Sequence, residues 1–143
     1  VNLASRLESS CKFFGAGIIC DDRTWREGGV DEIVARPLGR IYISGVTEAV
    51  TVHERLGRRD GVPKDTMDTI PLFTEAVAAI DHRAFDTAGT LLEEVLERDA
   101  DDTAARLYRD FCRAHTALKP GAPPPEIKDP NGVVRLQWID GGN

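Results

Sequence analysis

Near residue 72 the spacing of apolar residues changes period, and that change sets the class of fold. Before it the repeat is two. Ile41 and Ile43, then Val50 and Val52, alternate with polar neighbours, as in strands that bury one face. After it the repeat is three to four. Phe73, Ala76, Val77 and Ile80 mark one helix, Ala88, Leu91, Leu92, Val95 and Leu96 a second, and Ala104, Leu107, Tyr108, Phe111 and Leu118 a third. Strands first and helices after make an α+β chain.

The strand-bearing part opens on a helix. Leu3, Leu7 and Cys11 recur every four residues and form one apolar stripe. Gly15 ends that helix, and the apolar run from Gly17 to Cys20 predicts a short buried strand. Asp21 or Asp22 can cap a short helix through Trp25. A strand over 33–39 leads into a Pro37/Gly39 bend, a second covers 41–45, a turn forms around Gly45 and Thr47-Glu48, and a third strand covers 49–54.

Residues 58–71 carry Gly, Pro and charge without periodicity and predict a linker between a first unit, 1–57, and a helical unit, 72–119. Asp101-Asp102-Thr103 supplies an N-cap for the last helix. The tail, 120–143, begins with a semi-rigid Pro-rich spacer and holds a short strand over 132–138.

Composition excludes several classes of function. A net charge of −6 opposes a nucleic-acid groove, which needs a basic surface. No apolar run approaches the roughly 20 residues of a membrane-spanning helix. Cys11, Cys20 and Cys112 are odd in number and far apart, as are His53, His82 and His115, so neither a disulfide framework nor a zinc site is expected. A reducing cytoplasm is the expected location, although an upstream segment could tether a parent protein to a membrane. The chain opens on Val1 inside a motif and its single methionine is Met67, so it reads as the C-terminal piece of a longer protein.

That motif concentrates the chemistry. Asn2 and Arg6 lie four apart on the first helix and point the same way. An amide beside a guanidinium offers fixed donors and no proton acceptor useful near neutral pH. The pair suits gripping phosphate and sugar oxygens rather than acid–base work. Taken alone, the segment also fits an amphipathic helix with a solvated polar face.

Val1-Asn2-Leu3-Ala4-Ser5-Arg6-Leu7-Glu8 closely resembles the helix of class III adenylate and guanylate cyclases that carries their asparagine–arginine pair. The segment from Arg36 to Glu54, with its Pro37-Leu38-Gly39 turn, Gly45, Glu48 and Val50-Thr51-Val52, resembles the closing strand pair of the same family. The resemblance covers residues 1–57 and implies the second half of a ferredoxin-like catalytic domain. It also implies ATP converted to cyclic AMP and pyrophosphate (or GTP to cyclic GMP), Mg²⁺ or Mn²⁺ as cofactor, and a homodimer with the site at its interface. By motif, Asn2 orients the ribose and Arg6 stabilises the transition state at the α-phosphate. The family's metal-binding aspartates and purine-reading residues precede the motif. Ser44 stands where the family often has a lysine reaching toward the terminal phosphates.

Ala76, Phe85 and Ala88 give the helical unit a partial likeness to a tetratricopeptide hairpin, although Val95 and Ala100 stand where that repeat favours Ala and Pro. About one and a half such units are too few to stand alone, so the helices are expected to pack on the cyclase-like part, an upstream region or a partner. A competing reading makes the chain a non-catalytic regulatory protein whose helices bind a protein partner.

Overall fold

The computed structural model describes residues 19–21, 26–27, 31–43, 50–123, 125, 127–128 and 134–136. Within them the architecture is α+β. Five antiparallel strands, β1 (Ile19–Asp21), β2 (Ile33–Ile43), β3 (Val50–Arg58), β4 (Ile127–Lys128) and β5 (Val134–Leu136), lie in the order β1-β3-β2-β5-β4. Three helices, α1 (Lys64–Asp81), α2 (Phe85–Arg98) and α3 (Thr103–Thr116), follow one another between β3 and β4.

The central pair β2–β3 differs from the expectation of two short strands around a bend. Ile33 to Ile43 is one strand that absorbs Pro37 and Gly39 in a bulge. Pro37 pairs with His53 and Gly39 with Val52, so Leu38 is the extra residue without a partner across the ladder. Gly39 has φ 103°, a conformation that a Cβ disfavours. A second shift lies between Val34 and Ala35, and β3 runs on to Arg58, four residues past the expected end at Glu54.

The expected linker is corrected as well. Residues 64–71 belong to α1, which enters through Pro63 and continues past Pro71. Pro71 has no amide to give the carbonyl one turn back, but it sits on the exposed side. Thr69, Phe73, Ala76, Val77 and Ile80 form the buried face, and their packing outweighs the local penalty. Leu118, assigned to the third helix from its spacing, lies beyond the C-cap Ala117 and is 39% exposed. The first helix (residues 1–12), the short helix at Trp25 apart from residues 26–27, and the turn at 44–49 lie outside the described residues.

The helices cover one face of β2–β3. Leu38 and Val52 from the strands join Phe73, Ile80, Leu92, Val95 and Tyr108 in one fully buried core. Each large apolar side chain removed from water there contributes roughly 1.5–3 kcal/mol. Of the packing partners open to the helical unit, the structure shows the strand pair.

Candidate functional site

Asn2, Arg6 and Ser44 all lie outside the described residues. The described part presents the strand pair on which the second motif is written, and the way that pair is held.

On the covered face of β2 the buried row reads Val34, Arg36, Leu38, and on β3 Val52, Glu54. Arg36 and Glu54 are direct cross-strand partners, and Arg36 Nε donates to Glu54 Oε1 at 2.7 Å. The guanidinium's other edge meets Asp102, with Nη1 to Oδ2 at 2.6 Å and Nη2 to Oδ1 at 2.9 Å. Its Cζ lies 4.1 Å from the centroid of the Phe73 ring, a cation–π contact from α1. Arg36, Glu54 and Asp102 are 6%, 9% and 8% exposed, so this is a buried cluster of three charges drawn from two strands and a helix end.

Asp102 holds its place for a local reason. It is the N-cap of α3, and Oδ1 also accepts from the Ala105 amide at 3.1 Å. Burial raises its pKa, but the two-point Arg36 pair and the helix amides outweigh that and hold the carboxyl below its ordinary value. Burial lifts Glu54 above its ordinary value; the Arg36 charge and its one hydrogen bond oppose this, and the neighbouring Asp102 and Asp99 add to the lift. Burial also works against the Arg36 charge, yet the two carboxylates win and fix it as a cation.

In the second turn of α3, the Tyr108 hydroxyl donates to the carbonyl of Leu38, the bulged residue. Tyr108 is fully buried and stacks on Phe73 with ring centroids 5.5 Å apart. At the bulge, therefore, α3 supplies a donor to the strand's main chain.

A cleft of about 150 Å³ opens beside the ion pair, with Glu54, Asp99, Asp101, Asp102 and three threonines on its walls. Its negative charge repels phosphate, so a nucleotide's triphosphate does not belong there. A larger hollow of about 280 Å³ lies between α2 and α3. Its cations are engaged by carboxylates: Arg113 donates to Glu93 at 2.7 Å, and Arg109 pairs with Asp110 at 3.1 Å. Cys112 borders it as a buried thiol that burial pushes up to about 11, which suits packing and not nucleophilic attack. His115 stacks on Phe85 at 4.0 Å, with its pKa lowered by burial and by Arg83. Among the described residues no group of three or more His, Cys, Asp or Glu is arranged to hold a metal ion, and no helix is long and apolar enough to cross a membrane.

The charged cluster escaped the reading of the sequence, although half of its signal was visible. Arg36 between Val34 and Leu38, and Glu54 two residues after Val52, are charges in alternating apolar rows, the mark of a buried pair. The third member, Asp102, comes from 66 positions away, which no local pattern reveals.

No family model matches the chain, and neither a curated protein nor a solved structure shows significant similarity to it.

Proposed function

We propose that this chain is the C-terminal part of a class III nucleotide cyclase whose parent converts ATP to cyclic AMP and pyrophosphate as a homodimer. The observation that carries the reading is the pair of family-like motifs in family order, Val1 to Glu8 and then Arg36 to Glu54. The second motif lies on one antiparallel strand pair, in keeping with the closing strands of the family's ferredoxin-like core.

In this reading Asn2 fixes the ribose so that its 3′ oxygen faces the α-phosphorus. Arg6 donates to the α-phosphate oxygens as negative charge grows during displacement of pyrophosphate. Such a donor, aimed at charge that develops in the transition state, contributes about 3–4 kcal/mol. When bound in the parent, Mg²⁺ or Mn²⁺ would supply Lewis-acid activation of the 3′ oxygen and neutralisation of phosphate charge. The described carboxylates do not fit metal binding of that kind, because Glu54 and Asp102 are committed to Arg36. The chain contributes donors to a site completed by its dimer partner and makes no cyclic nucleotide alone.

The test is Arg6→Ala in the full parent protein. A drop in kcat on the order of 10²–10³-fold with dimer and fold retained is the expected result. Unchanged turnover removes the proposal.

A further inference from the structure

We infer that α3 is a latch on the strand pair, transmitting the position of the helical unit to β2–β3 through Arg36–Asp102 and Tyr108–Leu38. The inference rests on the cyclase reading only for which site the latch serves.

The contacts are placed for coupling and not merely for adhesion. Both come from one end of α3, its N-cap and its second turn, and both end on β2 within three residues. One grips a side chain, the other the main-chain carbonyl of Leu38, the bulged residue. Moving the N-terminus of α3 therefore acts on the bulge itself.

The chemistry of the pair favours two states over anything between them. With α3 seated, both edges of the Arg36 guanidinium face carboxylates and its plane lies over Phe73. With Asp102 withdrawn, Glu54 alone meets one edge, and a buried cation left with half its partners is strongly disfavoured. The strand face must then open to water. A half-seated helix is the worst option, so the equilibrium flips between states and does not slide. A partner that draws the helices aside would thereby loosen β2–β3, the pair that carries the second motif, and binding that seats them would tighten it.

Hydrogen exchange on the full chain tests the latch with Asp102→Asn, which keeps an N-cap acceptor and removes the charge pair. Amides of β2, β3 and the first turn of α3 should exchange about tenfold faster or more, while those in α1 and α2 change less than about threefold. Equal acceleration everywhere, or unchanged exchange in β2–β3, overturns the latch. If Asp102→Asn does not fold, Tyr108→Phe, which removes the bond to Leu38 and keeps the ring, should give the same localised pattern at about threefold to fivefold, and a uniform change again overturns it. In the parent, Asp102→Asn should shift kcat about fivefold or more with KM for ATP unchanged. An active parent indifferent to the substitution refutes the regulatory role. A wild-type parent that does not cyclise ATP refutes the cyclase reading instead, and the exchange data still decide the latch.

Discussion

Arg36 and Asp102, 66 positions apart in the chain, meet edge to edge in a buried two-point ion pair with N···O distances of 2.6 and 2.9 Å. Strand and helix are joined there by charge as well as by apolar packing. Breaking one side is costly because the other stays behind. Asp102→Ala removes two charge-assisted bonds and an N-cap and leaves the buried cation with Glu54 on one edge, so it should lower stability by about 3–5 kcal/mol in urea unfolding. Replacing Arg36, Glu54 and Asp102 together with apolar residues of similar volume should cost much less, because no charge is left unpaired. Equal losses in the single and triple variants would contradict this account.

The cluster also sets a pH dependence with two opposed slopes. Asp102 has a folded pKa below its ordinary 3.8, so its contribution is complete above that pH and is lost as pH falls through the folded value. Glu54 has a folded pKa above its ordinary 4.5, so stability falls as pH rises from about 4.5 through the raised value. The cluster is therefore most favourable between 3.8 and 4.5. Glu54→Gln should remove the upper slope: its stability relative to wild type should rise as pH increases from about 4.5 through the raised value. Parallel profiles in a urea series at several pH values would count against it.

Gly39, at φ 103° in the bulge, should resist substitution. Gly39→Ala places a Cβ where L-residues are disfavoured and should cost about 1–2 kcal/mol. Tyr108→Phe, which removes the buried bond to the Leu38 carbonyl, should cost about 1–3 kcal/mol. Both are read by thermal or urea unfolding, and a stabilised Gly39→Ala variant would show that the bulge is not formed.

Cys112 should be inert to thiol reagents while the chain is folded, since it is 1% exposed and its pKa is pushed up to about 11. In a Cys11→Ser/Cys20→Ser background, its labelling at pH 8 should follow the opening of α2–α3 and speed up in urea. Labelling at the rate of a free thiol in the native protein would contradict the buried position.

The period of the apolar pattern made the order of elements legible: strands first, then helices whose buried positions at Phe73, Ala76, Ile80, Leu92, Val95 and Tyr108 follow the expected spacing. Boundaries were less legible wherever tertiary packing overrides a local breaker. Pro71 reads as a stop, yet it lies on the exposed side of a helix whose other side is locked into the core. Pro37 and Gly39 read as a bend, yet pairing on both sides holds them in one bulged strand. Asp102 was legible as a helix cap from its neighbours. Its bond to Arg36 depends on how the chain returns over β2, which is a property of the fold and not of any window of sequence.

The central claim is that Asn2 and Arg6 serve a site shared between two subunits of a nucleotide cyclase, and complementation tests it most directly. A full parent carrying Arg6→Ala is mixed with one whose metal-binding aspartates are replaced, and cyclic AMP formation is measured. Each should be nearly inactive alone. The mixture should recover about a quarter of wild-type activity, because half of the dimers are mixed and each of those holds one intact site. No recovery from two folded, dimerising variants would contradict the claim.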